Sequence, residues 1–292
     1  MQKMKIYILP VDKKFQPNKQ TRKYPPHSKD YGVEQDFYQY LLKNNDLLVS
    51  DPDKADWHYL PIYWTRWFVN HNYARSGNDL LQEEFDKIIL DDTKTFTICQ
   101  YADGPIIGIK NTTVFFPSRK GTSGIDIPLL CSPHKLFPFF NKKKKYLANF
   151  VGSSLTHPLR EEMEECLKDR KDIFIYGKNK NTRFFVNKIL ESYVSLCPRG
   201  YGGGSFRFFE SMQLGVVPFH IGDIDIRPFK KFINWDEVSL YTDSVSNIID
   251  LLNSKSKSDF LLMGKKAKEL YYNQLFFQKW CYYVIKELEE LK

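Results

Sequence analysis

The sequence predicts an α/β protein with parallel sheets, divided into two domains. Three observations carry that expectation. The chain has 292 residues, more than the roughly 100–200 of one typical domain. Short apolar runs alternate with longer stretches of helical periodicity, the pattern of parallel strands joined by right-handed crossovers. Between the halves, Asn141-Lys142-Lys143-Lys144-Lys145 interrupts the apolar pattern and reads as a solvated turn or linker. The expected domains are 1–143 and 144–270. A C-terminal helix over 271–292 is expected to pack back on the first of them.

The elements follow in order. Residues 5–9 make a first strand, and a Pro- and Lys-rich loop covers 10–32. Residues 34–43 carry Phe37, Tyr40 and Leu41 at helical spacing. Strands are expected at 57–61 and 95–99, with a helix over 79–90 between them. Residues 114–116 and 125–127 are shorter strand candidates. In the second half, 146–151 is a strand followed by a Gly-Ser loop. Pro158 suits a first helical turn, where its missing N–H would have had no partner. Glu161, Glu162, Glu164 and Glu165 suit the positive end of that helix. Residues 173–176 form the next strand, stopped by Gly177, and 183–191 a short helix. A strand over 193–197, a helix over 205–214 stopped by Gly215, and a strand over 216–221 complete the pattern.

Composition removes several classes. Apolar residues make up 42% and aromatics 16%, enough for a packed core and too many for a disordered chain. No run of about 20 apolar residues exists, so no membrane span is expected. The first ten residues read as a strand, not a signal peptide. Five cysteines without a C-x-x-C pair indicate neither a disulfide framework nor a zinc site, and the expected location is cytoplasmic. The net charge of +8 favours an anionic ligand, but no nucleic-acid module or basic-aromatic stripe accompanies it, so nucleic acid is not an expected partner.

The most informative segment is Cys197-Pro198-Arg199-Gly200-Tyr201-Gly202-Gly203-Gly204-Ser205-Phe206-Arg207-Phe208-Phe209-Glu210. It leaves the carboxyl end of a strand and opens a helix, where open α/β sheets bind ligands. Its glycines let the backbone approach closely, and free N–H groups at a helix start suit phosphate. Arg199 adds a bidentate, charge-assisted donor. There is no G-K-[ST] and no G-x-G-x-x-G, so neither a P-loop nor a dinucleotide fingerprint is present. Glu210, one helical turn after Phe206, is an acceptor suited to ribose hydroxyls. Phosphate donors together with an acid for ribose describe a nucleotide site.

These residues resemble the exostosin family of glycosyltransferases. The resemblance runs through Pro198-Arg199-Gly200, Ser205-Phe206-Arg207-Phe208-Phe209-Glu210, Gln213-Leu214-Gly215, Val217-Pro218, Arg227-Pro228-Phe229 and Ile233-Asn234-Trp235. Weaker echoes are Phe150-Val151-Gly152 with Pro158 and Arg160, Ala55-Asp56-Trp57-His58-Tyr59-Leu60-Pro61, and Asp126-Ile127-Pro128. Ser153 and Ser154 stand where the family often has a basic residue. The resemblance implies a GT-B architecture, two Rossmann-like domains facing across a cleft, and an inverting transfer from a nucleotide sugar, commonly a UDP-sugar, to a glycan acceptor. It implies donor contacts from Arg199, Gly200, Ser205, Phe206, Arg207 and Glu210. Arg160 is a second phosphate candidate, and Tyr176 and Gly177, at another strand end, face the base. A non-catalytic glycan- or nucleotide-binding relative of the same fold is the alternative.

Inversion needs a base for the acceptor hydroxyl. Asp103, in Tyr101-Ala102-Asp103-Gly104-Pro105 just beyond a strand, is the first choice, with Asp126 and His134 next. Trp64 and Arg66, in an aromatic cluster with Trp57, Tyr63 and Trp67, are expected at the acceptor. Asp51-Pro52-Asp53 and Asp223-Ile224-Asp225 have the spacing of a metal-binding triplet. No metal and no cofactor is nevertheless expected, since an arginine and a helix end already suit a diphosphate. For the aromatic C-terminal stretch, a peripheral membrane contact through Phe276, Phe277 and Trp280 is the rival to packing.

Overall fold

A computed structural model describes residues 3–19, 32–130, 133–134 and 142–292. Part of the expected 10–32 loop, Cys131 and Asn141 lie outside the described residues. In the first half the strands are β1 (Ile6–Ile8), β2 (Trp57–Tyr59), β3 (Thr95–Ile98), β4 (Thr113–Phe116) and β5 (Ile125–Asp126). The helices between them are α1 (Val33–Lys43), α2 (Trp64–Asn70) and α3 (Asn78–Ile88). The strands pair in parallel in the order β1-β2-β3-β4-β5. Leu48 forms a parallel bridge to Ile6, which already pairs with Trp57 of β2. The chain therefore visits the outer side of β1 before it crosses to β2, and the strand order reverses there.

Helices α1 and α3 each bury one stripe, Val33, Phe37 and Leu41 in the first and Leu81, Phe85 and Ile88 in the second. Helix α2 was not expected from the sequence. Residues Trp64 to Val69 are all buried, so it has no polar face and no amphipathic period to betray it.

The second half contains β6 (Tyr146–Val151), β7 (Ile173–Tyr176), β8 (Ser192–Pro198), β9 (Val217–Ile221) and β10 (Leu240–Thr242). Its helices are α4 (Pro158–Leu167), α5 (Thr182–Leu190), α6 (Phe206–Gln213), α7 (Ile248–Asn253) and α8 (Lys257–Leu270). All strand pairs are parallel, in the order β10-β9-β8-β6-β7. Ala148, Phe150, Val194, Leu196, Val217 and Phe219 from three adjacent strands form the middle of the core with Met163, Leu167, Phe260 and Met263 from helices.

The chain forms two compact units, Met1–Pro128 with Phe277–Lys292, and Leu129–Phe276. The division falls upstream of the expected 143/144 boundary because the lysine run is not a free linker. Lys145 N donates to Glu191 O at 2.7 Å and its Nζ pairs with the Glu191 carboxylate at 3.1 Å. Lys144 Nζ donates to Ser192 O at 2.5 Å.

Residues 271–292, expected as a C-terminal helix, form more than one element. A π-helical turn covers Tyr271–Leu275, Phe277 takes a left-handed φ of 56°, and a last helix, α9, begins only at Cys281 and runs to Glu290. The break lies where the chain leaves one unit and rejoins the other. In the first unit Trp280, Val284 and Leu288 are buried, Trp57 Nε1 donates to Leu288 O at 3.2 Å, and Gln278 Nε2 donates to Asp36 O at 3.0 Å. The two sheets give the α/β, two-domain Rossmann-like content of a GT-B architecture. No described helix is long and apolar enough to cross a membrane.

Candidate functional site at the carboxyl ends of the second sheet

In the second unit the chain runs from β6 to β7 on one side, then returns past β6 to β8 on the other. That reversal makes a crevice outside the carboxyl ends of β6 and β8, where ligands bind in open α/β sheets. The residues expected to bind the donor stand around it.

Arg207 sits in the crevice. Its Nη2 donates to Val151 O at the end of β6, and its Nη1 to Leu196 O of β8 at 3.5 Å. Its guanidinium lies 4.5 Å from the Phe150 ring centroid and 5.3 Å from that of Phe185. Burial lowers its pKa, and Cys197 and Glu210 oppose that shift. Arg160 braces the other side. Its Nε donates to Arg199 O at 2.9 Å, its Nη1 to Ser153 O at 2.8 Å and Thr156 Oγ1 at 3.3 Å, and its Nη2 to Pro198 O at 3.3 Å. As placed, Arg160 holds the backbone that carries Arg199.

Arg199 is buried, and its main chain is fixed by a bond from its N to Ile221 O at 2.8 Å. Its Nη1 pairs with Asp223 Oδ1. Its Nε is buried and has no partner, and among the described residues its Nη2 has none either. Nε and Nη2 form the edge of a guanidinium that grips an anion with two parallel bonds. The following loop closes on itself through Gly200 N to Gly204 O at 3.1 Å. Ser205 then takes the N-cap position of α6 with no side-chain cap bond, so its hydroxyl does not satisfy the helix start. An N-cap hydroxyl normally does so. A buried guanidinium donor without a partner and a helix start whose N-cap side chain makes no cap bond, both at one strand end, suit an anion.

Tyr176 and Gly177 end the neighbouring strand. Tyr176 O accepts from Gly152 N at 3.1 Å, and Gly177 O accepts from Ser154 N at 3.3 Å and Ser154 Oγ at 3.1 Å. A Cβ on Gly177 would lie 2.6 Å from the Glu164 carboxylate, so a side chain there would have to displace it. Tyr176 is half-buried, with the Phe184 ring 5.7 Å away and Lys180 Nζ 5.0 Å from its own ring centroid. Ser154 and Glu164 are hydrogen-bonded to each other, a pairing that the sequence does not reveal. In the sequence Glu164 is one of four acids near a helix start.

Glu210 is buried on α6, where His134 Nε2 meets its Oε1 at 2.8 Å. His134 N also donates to Gln213 Oε1 at 3.3 Å. His134, a candidate base, is therefore placed beside the expected ribose acid. His157 caps α4, and its Nδ1 accepts from Leu159 N at 3.3 Å. Burial, then the Arg199 guanidinium, hold its pKa below the usual value, while Asp223 opposes them. The acids of the Asp223-Ile224-Asp225 triplet face different arginines. Asp225 makes a bidentate pair with Arg227 at 2.9 and 3.0 Å, and Asp223 meets Arg199. Among the described residues no group of three His, Cys, Asp or Glu is arranged to hold a metal ion.

The remaining expected residues belong to the first unit. Asp103 follows β3 in a turn closed by Gly104 N to Tyr101 O at 2.9 Å, and its Oδ1 pairs with Lys120 Nζ at 2.8 Å. Asp126 is held by Arg119 at 2.9 and 3.1 Å. Trp64 and Arg66 were expected to face an acceptor, and the structure places both inside the packed unit. Trp64 Nε1 donates to Thr97 Oγ1 at 2.8 Å, and Arg66 donates to Pro17 O at 3.0 Å and Gln35 Oε1 at 2.5 Å. The helix they share has no exposed face. Sequence reasoning also missed Glu34, a buried acid near the carboxyl ends of β2 and β3. It accepts from Thr65 N at 3.1 Å, Thr65 Oγ1 at 2.9 Å and Gln100 N at 2.9 Å. Burial pushes its pKa up to about 7 against those bonds and the nearby Arg66.

Known proteins resemble this chain. The family profile of the Exostosin GT47 domain matches residues 91–254, a span that includes every donor-side residue above. An exostosin-1 homolog of Caenorhabditis elegans is 24% identical over 91% of this chain and 80% of its own length. A rice protein named probable glucuronosyltransferase GUT1 is 20% identical over 86% of this chain and 71% of its own. Among solved structures, a TarM of S. aureus is 11% identical over 72% of this chain and 58% of that one, with a TM-score of 0.39. The family profile matches more than half of the chain, and the rice relative is named a probable glucuronosyltransferase. The protein belongs to the exostosin GT47 family of glycosyltransferases.

Proposed function

We propose that the protein transfers a sugar from a UDP-sugar to a hydroxyl of a glycan acceptor, with inversion at the anomeric carbon and without a metal ion. The observation that carries this reading is the Nε–Nη2 edge of Arg199, whose Nε is buried without a partner, beside the start of α6, where the Ser205 side chain makes no cap bond. A buried donor left unpaired costs about 1–3 kcal/mol, and a diphosphate oxygen relieves it. In the reaction the acceptor oxygen forms a bond to the anomeric carbon as the bond from that carbon to the phosphate oxygen breaks. The bonding pair leaves on the nucleoside diphosphate, where negative charge builds. Arg199 and the α6 N–H groups are fixed before that charge develops, which is the arrangement that stabilises a transition state. Glu210 receives the ribose hydroxyls. The acceptor proton passes to a carboxylate, for which Asp103, at the end of β3, is the proposed residue.

Calorimetric binding of UDP, GDP, CMP and dTDP tests the donor site. UDP should bind selectively. Arg199→Ala and Glu210→Ala, each losing hydrogen bonds to a charged group worth about 1.5–3 kcal/mol, should bind it roughly 10–150-fold more weakly. Binding of none of the four overturns the proposal. Asp103→Asn should keep UDP affinity and lose roughly 10²–10⁴-fold in kcat; near-normal turnover removes Asp103 as the base. Turnover should persist in excess chelator.

A further inference from the structure

We infer that Asp223 selects the donor sugar: its carboxylate accepts hydrogen bonds from the hydroxyls of a neutral sugar and disfavours an acidic one. The inference rests on the nucleotide-sugar reading above.

A carboxylate beside a phosphate-binding arginine needs a reason, because it repels the phosphate that the arginine attracts. At Asp223 the geometry supplies one. Only Oδ1 meets Arg199, at Nη1, which leaves the Nε–Nη2 edge of the guanidinium for the diphosphate. Among the described residues Oδ2 has no partner, and the Asp223 side chain is 63% exposed. The residue is held in position from behind. Gly222 N donates to Thr242 O at 3.0 Å, and a Cβ on Gly222 would lie 3.2 Å from Arg199 Cβ. The backbone at Asp223 thus runs against Arg199.

The neighbouring charges sharpen the point. Asp225 is neutralised by Arg227 and by Lys230 at 3.1 Å. Asp243, just beyond the adjacent strand β10, is exposed and has no partner among the described residues. At the ends of β9 and β10, Asp223 Oδ2 and Asp243 therefore stand as carboxylates without a cation partner among the described residues. A sugar attached to a diphosphate gripped by Arg199 lies within reach of Asp223. A carboxylate offers about four acceptor positions and no donor, which matches a sugar's hydroxyls. A hexuronate would bring a like charge to the same place.

The test is calorimetric binding of UDP, UDP-glucose, UDP-galactose, UDP-xylose and UDP-glucuronic acid to wild type, Asp223→Asn and Asp223→Glu. For wild type, the best neutral donor should bind at least about tenfold more tightly than UDP-glucuronic acid. Asp223→Asn should narrow that ratio to within about threefold and leave UDP itself no weaker. Asp223→Glu, which keeps the charge, should retain the preference. Equal binding of neutral and acidic donors by wild type, or an unchanged ratio in Asp223→Asn, overturns the inference and leaves the nucleotide reading intact. Loss of UDP together with every UDP-sugar in Asp223→Asn means that the residue only seats Arg199, and it also overturns the specificity role. Absence of UDP binding by wild type overturns both readings.

Discussion

Glu34 shows how far burial outweighs hydrogen bonding at a single carboxylate. Donors from Thr65 and Gln100 favour its ionised form, yet desolvation is the larger effect and its pKa rises from 4.5 to about 7. The native state therefore keeps a proton across a window in which the unfolded chain has released it. The stability this group contributes is full below about pH 4.5 and is lost as pH rises through about 7, a change of up to about 3 kcal/mol. Glu34→Gln separates charge from shape. The bonds to Oε1 from Thr65 and Gln100 suit an amide oxygen, while among the described residues Oε2 receives only Thr65 N at 3.3 Å. The variant should gain stability relative to wild type between pH 5 and pH 8, measured as the difference in Tm. The same difference at both pH values would show that Glu34 does not titrate in that range.

At the scale of elements, β6, β8 and α6 meet through a buried guanidinium. Arg207 joins the ends of the two strands, and Gly152 leaves room for it: a Cβ there would lie 2.6 Å from Arg207 Nη2. Gly152→Ala must displace either the guanidinium or the strand end. Overpacking of this kind costs about 1–3 kcal/mol. Because Arg160 and Arg207 brace the same crevice, the substitution should also weaken UDP binding. Urea unfolding and calorimetry check the two effects, and unchanged stability would mean that the crevice is looser than the contacts imply. The lysines at 142–145 make a related point. Lys144 is buried enough that its pKa falls to about 8, although a lysine run reads in isolation as a solvated turn.

At the scale of the whole molecule, the chain ends in the unit where it began. Phe277–Lys292 belongs with Met1–Pro128. Phe37 and Trp280 approach with ring centroids 6.0 Å apart, and Lys292 Nζ pairs with Asp56 Oδ1 at 2.6 Å. Burying a large apolar side chain contributes about 1.5–3 kcal/mol, so removing 277–292, with Trp280, Val284 and Leu288, should destabilise the first unit by several times that amount. Scanning calorimetry should show one transition lowered or lost and the other unchanged. UDP binding should survive, because its proposed residues all lie in Leu129–Phe276. A truncated protein with both transitions unmoved would show that the segment does not stabilise the first unit.

The sequence by itself determined the alternation of strands and helices, the two-sheet α/β class and the glycine-rich loop between β8 and α6. Each of these is written in local patterns: apolar period, proline and glycine placement, and one contiguous motif. Tertiary structure alone decided the rest. It paired Leu48 with the outer side of β1, broke the C-terminal helix at Phe277 and buried Trp64 and Arg66 in a helix without a polar face. It also joined His134 to Glu210, and Arg199 to Asp223 across a separate strand. In each case the partner lies far along the chain or in another element. Local periodicity fixes which face a residue shares with its sequence neighbours. What that face meets, and which charges burial leaves unpaired, depends on how the strands are ordered in the sheet.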